Sequence, residues 1–527
     1  MKKALITFLL ILMLTSCCAC SNQGVFSAVD ATDVLQEDFA VALKKGDSET
    51  KNIVNDVIDE WLHSGKLDLY HDYYNAIAKG ENPLVPEGLT VSWNFESGAN
   101  VLEMYTEATF APYEFICNNQ IVGVDVAIAS EVALRMGLKL IIKDVKFETV
   151  ISGMNSSSEK AIAVAGLTID EERKKSCDFS HVYASSTLSI VQKKDCEFSS
   201  LESLNGLIIG VQQGTSGDLI VSEALSEKGY TYVCVDENGV TKTKNIKISG
   251  QIVRYDSYTS AIEVLNLDKI DVIFMDKLPA TLLVENSNAN ANADIFTKFY
   301  NAVIAENRWQ LYFEGLFNTL IIALFAVIIG VIVGFSLATL IYVNKKTGKL
   351  KVISAISKIY VTVIRGTPVV LQLFIMYFIV LSNMASDILI GAITFGLNSS
   401  AYVAEIARAG FASIDDGQTE AGRALGLPAS KTIFSIIFPQ ALKNSLPPLF
   451  NEFISLVKET AVVGYVGIMD LGKVPGLIQS RTFDYLFPLL VSAGLYLIVV
   501  CLLTAVLKLL EKKFAKNERN VGGIKNV

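Results

Sequence analysis

Histidine is nearly missing from this chain, with three residues in 527. Cysteine is also sparse, and three of its eight residues, Cys17, Cys18 and Cys20, crowd into one stretch near the start. Neither set has the spacing of a zinc site, so no metal and no cofactor is expected. No run of basic residues with interleaved aromatics occurs and the formal charge is −9, which argues against a nucleic-acid partner. The G-x-x-x-x-G-K-[ST] pattern that cradles nucleotide phosphates is absent too, so ATP hydrolysis by that route is excluded. Charged residues make up only 19% while hydrophobic ones reach 51%, too apolar a balance for a wholly soluble protein.

The apolarity is uneven, lying mostly in residues 1–16 and 313–507, while 23–308 has ordinary soluble composition. That asymmetry predicts a soluble module joined to a membrane module. Met1-Lys2-Lys3 followed by the apolar run Ala4–Leu14 reads as an export signal over residues 1–22. Leu14-Thr15-Ser16-Cys17 resembles the lipobox of bacterial lipoproteins, with simple cleavage or retention as the alternative. In an exported domain, any pair among Cys117, Cys177, Cys196 and Cys234 can be oxidised, and four free thiols is an equally good reading.

Within the soluble part, 30–300, strand-like and helix-like segments alternate, which predicts two α/β lobes. Residues 36–76 contain the strand-like run Phe39–Leu43, then an amphipathic helix through Ile53, Val57, Ile58 and Trp61 that Asp47 or Ser48 can cap. The main part covers 101–284, and an Asn/Ala-rich linker, Asn286–Asp294, leads toward Trp309.

Beyond Trp309 a membrane domain is expected over 309–515, with spans at 315–344, 366–386, 388–404, 444–466 and 485–507. The span at 444–466 is interrupted by Glu452, Lys458 and Glu459, which should face a protein interior or water and there either touch substrate or, as expected, pair with each other. Lysines 345, 346, 349, 351 and 358 follow the first span and a basic tail follows the fifth, whereas the opposite loops hold only Lys473 and Arg481. The positive-inside rule then places the soluble domain outside the cell and the loop 410–443 inside. In that loop Ala421, Ala424 and Leu425 recur at helical spacing, Gly426 offers a left-handed stop and Pro428 a new start, so it reads as an amphipathic knuckle.

Glu420-Ala421-Gly422, Gly426 and the later Ile436-Ile437-Phe438-Pro439 resemble the EAA loop of ABC-importer permeases, in which Gly422 stands where the second alanine is usual. The resemblance implies that Glu420, Ala421 and Gly426 engage a separate ATP-binding subunit. Residues 313–511 are similar to the five-span permeases of polar amino-acid importers, including Arg365-Gly366-Thr367-Pro368, Gln372 and Lys458-Glu459-Thr460. Five spans are too few to enclose a pathway, so a permease homodimer or heterodimer is implied.

Val101–Phe115, Gly123–Ala129, Ala165–Arg173, Gly210–Gly217 and Ile270–Asp276 resemble polar amino-acid binding proteins, with Ala127 where a second aspartate is usual. This implies a two-lobe periplasmic-binding-protein type II fold. The family's closing strand and helices are missing after Asn286, and 36–76 resembles them, so the domain reads as circularly permuted, with a remnant of a second domain as the alternative.

A zwitterionic ligand needs a guanidinium and backbone N–H groups for its carboxylate and a carboxylate for its ammonium. The resemblance implies Arg173, Thr168, Gly166 and Thr215 for the first, Asp276 and Glu107 for the second, and Phe110 and Phe147 around the apolar part. Out of context an Arg in an Asp-Glu-Glu-Arg run is a surface residue, a strand-end Asp is a cap and Phe110 is core. The expected function is import of a polar amino acid by a fused binding and permease subunit. The rival readings are an amino-acid-sensing membrane receptor and an enzyme on the same lobes, for which no acid/base pair is evident.

Overall fold

The computed structural model describes residues 25–93, 100–235 and 241–521, apart from positions 33, 35, 292, 383, 385 and 485. The expected signal over 1–22, with Cys17, Cys18 and Cys20, and the Cys234 side chain lie outside what is described. Cys117, Cys177 and Cys196 are free thiols. The chain folds as two compact units, one of residues up to Leu311 joined by Val474–Leu490, the other of Tyr312–Lys473 joined by the segment from Val491 on.

The first unit contains two α/β lobes, each built on a five-stranded sheet. In lobe 1 the order is Lys139–Asp144, Val101–Thr106, Lys160–Ala163, Glu37–Leu43, Asp178–Ser186. Glu37–Leu43 runs antiparallel to both neighbours. Such a strand is covered on both faces and must read as an unbroken apolar run, as Phe39-Ala40-Val41-Ala42-Leu43 does. Phe39, Val41 and Leu43 enter one core while Ala40 and Ala42 enter the other, the two-residue alternation of an extended chain.

The helix Ser48–His63 follows directly, opened by Asp47, whose Oδ1 accepts the Thr50 amide at 3.1 Å. Its buried face, Val54, Val57, Ile58 and Trp61, packs into the same core, with Trp61 stacked on Tyr70 at 4.7 Å. Each such large apolar side chain contributes roughly 2–3 kcal/mol on leaving water, so residues 37–78 are an integral part of lobe 1.

In lobe 2 the order is Phe26–Asp30, Leu188–Lys193, Val272–Asp276, Ile208–Gln212, Gln251–Tyr255. The described part of the chain therefore starts in lobe 2, crosses to lobe 1 between Asp30 and Glu37, and returns at Thr187. Also in this unit, the helix Val474–Thr482 presents Arg481, whose Nη1 and Nη2 donate to Ala78 O and Ile77 O at 2.8 and 2.7 Å.

The second unit is helical. Among the described residues three helices are long and apolar enough to cross a bilayer, Ala305–Thr347, Asp387–Ala412 and Leu486–Lys512. A fourth crossing is available from Lys351–Gly366 and Val369–Val380, which are bent by 107° at their junction. The span expected at 366–386 is thus not one straight helix. Pro368 has no N–H to continue the ladder, and Gln372 Nε2 fills the gap by donating to Ile364 O at 2.8 Å and Thr367 Oγ1 at 2.7 Å. The weakly scoring stretch around 444–466 forms the helix Phe438–Glu459, with Pro447 and Pro448 inside it. Glu452 accepts from Ser399 Oγ at 2.7 Å, and among the described residues no ion pair joins Lys458 to Glu452 or to Glu459, which corrects the expected mutual pairing. A hydroxyl on the neighbouring helix satisfies the carboxylate without burying a second charge.

Candidate functional site

Two residues nominated from the sequence reach from lobe 1 to lobe 2, Arg173 to Gly214 and Glu107 to Gln212. Arg173 opens no more than a single 3₁₀ turn, Arg173–Lys175. The reason is Asp170, whose Oδ1 takes the amides of Glu172 and Arg173, both at 2.8 Å, and so closes a local turn of its own. The Arg173 guanidinium is held on three sides: Nε lies 3.1 Å from Asp170 Oδ2, Nη1 donates to Thr168 O at 2.8 Å, and Nη2 donates to Gly214 O at 2.9 Å. It also sits over the Phe147 ring at 5.6 Å. Arg173, Thr168 and Phe147 belong to lobe 1 and Gly214 to lobe 2, so this one side chain spans the cleft. Each Nη keeps a second N–H, enough to grip a carboxylate.

Thr215, next to Gly214, caps the helix Ser216–Leu225. Its hydroxyl donates to Gln212 O at 2.8 Å and accepts from Tyr258 OH at 3.3 Å. Its side chain is therefore committed within lobe 2. Glu107 is buried and accepts from Gln212 Nε2 of the facing lobe at 2.5 Å. Phe110 is half-buried, stacked on Tyr113 at 5.6 Å and edge-on to Phe39 at 6.3 Å. Gly166 lies beneath that ring at φ +53°, where a Cβ would stand 2.6 Å from Phe110, so both conformation and space call for glycine. Its amide donates to Asp125 Oδ2 at 2.9 Å.

Asp276 ends its strand opposite Leu188, and Glu37 begins its strand opposite Ser186. The two carboxyls come from different lobes and meet beside Thr187. Burial, followed by the neighbouring Glu37, pushes Asp276 well above the usual carboxylate range. Burial also raises Glu37, opposed by Asp276, Ser216, Arg173 and Thr168 around it. Tyr258, fully enclosed, feels Asp276, Glu37 and Glu107 together. Glu37, Tyr258 and Gln212 were not singled out from the sequence. Only Glu37 left a trace there, as the first of two acids, Glu37 and Asp38, that open an otherwise apolar strand.

On the membrane unit the loop forms the helix Gly417–Ala424, then Gly426 at φ +75°, then a short helix from Ala429. Glu420, Ala421, Arg423, Ala424, Leu425 and Gly426 are all exposed, and Gly422 is the buried residue of the helix.

Comparison with known proteins gives two family matches. Residues 326–516 match the family described as binding-protein-dependent transport system inner membrane component, and residues 102–359 match bacterial extracellular solute-binding proteins, family 3. The putative glutamine transport system permease protein GlnP of Rickettsia typhi is 39% identical over 223 residues, 42% of this chain and 97% of that one. The arginine transport system permease protein ArtQ of Bacillus subtilis is 38% identical over 208 residues, 39% of this chain and 93% of that one. Among solved structures, an amino acid ABC transporter with histidines is 38% identical, covering 39% of this chain and 94% of that one, with a TM-score of 0.36. An ancestral arginine-binding protein bound to glutamine is 30% identical, covering 36% of this chain and 76% of that one, with a TM-score of 0.30.

Proposed function

We infer how the chain works from one premise: it belongs to the binding-protein-dependent ABC transport permeases for amino acids, and it carries a family-3 solute-binding module in the same polypeptide. It is a membrane protein and a transport component rather than an enzyme, and it imports amino acids. A transport system of this kind includes a transported solute and an ATPase partner.

We propose that the solute is a polar amino acid, held in the cleft with its carboxylate on Arg173 and its ammonium on Asp276. One observation carries this reading, the reach of Arg173 from Thr168 O to Gly214 O across the cleft. A ligand whose carboxylate bonds Arg173 of lobe 1 and whose ammonium bonds Asp276 of lobe 2 engages both lobes at once, so its binding favours the closed state over the open one, the requirement for a ligand-driven hinge. Phe147 and Phe110 then border the apolar part of the ligand, and Gly166, Thr168, Thr215 and Glu107 line the remainder.

The binding domain, 30–300, lies outside the cell and the loop 410–443 inside; the bias of Lys and Arg toward one set of loops supports this orientation. The exposed face around Glu420, Ala421 and Gly426 is the dock for the ATP-binding subunit, and two permease domains, 309–515 in each, pair to enclose the pathway. Residues 36–76 are a permuted tail rather than a remnant, a reading supported by their central place in the lobe 1 sheet and by a family match that begins only at residue 102.

The test is thermal unfolding of the full chain against the twenty standard amino acids, since a ligand bound only by the folded state raises the melting point. A shift of several degrees with one or a few polar amino acids is expected, and no shift with any of them overturns the site. A sensing receptor would bind equally well but would show no uptake when reconstituted with an ATPase subunit.

A further inference from the structure

Glu37 and Asp276 form a pair that a ligand clamp with one carboxylate per ammonium does not need. Both are at least nine-tenths buried, at 5% and 4% exposure. Their register partners on the crossing strand, Ser186 and Leu188, are two residues apart, a separation of about 7 Å along an extended chain. The carboxyl groups are close enough to share a proton, and, with both ionised, Glu37 Oε2 and Asp276 Oδ1 find no donor. The pair sits beside the point where the chain crosses at Thr187, so hinge motion about that point changes its spacing least. Two buried carboxylates in contact cannot both stay charged without a cation between them.

Resting on the reading that an amino acid occupies this cleft, we propose that Glu37 and Asp276 together seat the ligand's α-ammonium, and that the empty pair holds one proton which the incoming ammonium expels. The exchange balances: the pair starts as one carboxyl and one carboxylate, the proton leaves to water, and the –NH₃⁺ group, unchanged, ends between two carboxylates. The other charged and titratable groups around the pair do not take over this role. Arg173 is already paired with Asp170 and keeps its charge, and Cys177 lies behind it. Glu107 is occupied by Gln212. Tyr113 and Tyr258 face Asp276 and are both pushed upward, chiefly by burial, so they stay neutral through the carboxyl range.

The experiment is calorimetric titration of the full chain in lipid nanodiscs with each of the twenty standard L-amino acids, in two buffers of different ionisation enthalpy. Release of about one proton per ligand bound is expected at a pH where the empty pair is singly protonated, with affinity falling up to about tenfold per pH unit of acidification. Glu37→Gln should retain amino-acid binding, lower its affinity, and remove both the proton release and that pH slope. If no amino acid binds the wild-type chain, the amino-acid site itself is wrong. If one binds with no proton release and a flat pH profile, the site stands and the shared proton does not. That second outcome needs no variant, so misfolding of Glu37→Gln cannot protect the proposal. A folded Glu37→Gln that still releases the proton also overturns it.

Discussion

Gly422 and Thr432 pack so closely that a Cβ at 422 would stand 2.7 Å from both Cγ2 and Oγ1 of Thr432. The departure from the usual Glu-Ala-Ala at this point therefore has a local cause, a β-branched neighbour on the next helix that has little freedom to move aside. Gly422→Ala gains up to about 1 kcal/mol in helix propensity and loses about 1–3 kcal/mol to overpacking. The expected net result is a displaced loop and reduced uptake with the ATPase subunit. Adding Thr432→Ala removes both crowding atoms and should restore uptake toward wild type; no rescue would mean that Gly422 acts through something other than this contact.

Glu420→Lys should abolish ATP-driven uptake and leave amino-acid binding intact, because Glu420 is exposed and far in sequence from every cleft residue. Uptake by proteoliposomes and calorimetry on the same preparation separate the two effects. Loss of both would assign the loop a role in folding.

Arg173→Lys keeps the charge and loses the fork. A lysine ammonium cannot reach Asp170, Thr168 O and Gly214 O in one plane. The expected loss is on the order of 2–4 kcal/mol in binding, roughly 30- to 1,000-fold. The melting point of the empty protein should change much less. Calorimetry measures the first and thermal unfolding the second, and a tightly binding lysine variant would remove Arg173 from the site.

Arg481 supplies two donors to carbonyls at the end of the helix Lys66–Ala78 and lies 3.4 Å from Glu306. Arg481→Met keeps much of the stem and removes the donors, so terminal carbonyls lose their partners. A stability loss of about 1–3 kcal/mol is expected, measured by denaturant titration of the full chain.

Asp125 is fully enclosed, and burial pushes its carboxyl up to about 6 from 3.8, although Gly166 and Tyr183 oppose the shift. The native state thus binds the proton more tightly than the unfolded chain. This group's favourable contribution is complete below about pH 4 and is lost as pH rises through about 6, a change of up to about 3 kcal/mol. Asp125→Asn has no charge to lose, so its stability relative to wild type should grow between pH 4 and 7. Glu114, raised mainly by burial and next by Asp125, responds in the same direction. Parallel melting curves for the two proteins across that range would refute the assignment.

Much of the architecture was legible because it is written in local chemistry. The run Phe39–Leu43 is apolar at every position, as a central strand requires, and Asp47 was a recognisable cap. The bend at Gly366-Thr367-Pro368 was present as a motif but was read as the start of a span. Hydropathy averages over a window and does not register a missing N–H. Arg173 and Thr168 were nominated because they lie inside a stretch that resembles a family motif, and Phe147 because it falls in family order between two such stretches. Glu37 was passed over because nothing near it in sequence hints at Asp276, 239 positions away.

Composition and periodicity by themselves determined that a soluble α/β module and an apolar helical module share this polypeptide, since burying or exposing a side chain depends on its own chemistry. The order of strands in the sheets and the meeting of Glu37 with Asp276 were decided only by tertiary structure. Those relationships depend on which distant segments share a sheet edge or a crossing, and no single stretch of chain records its partner's address.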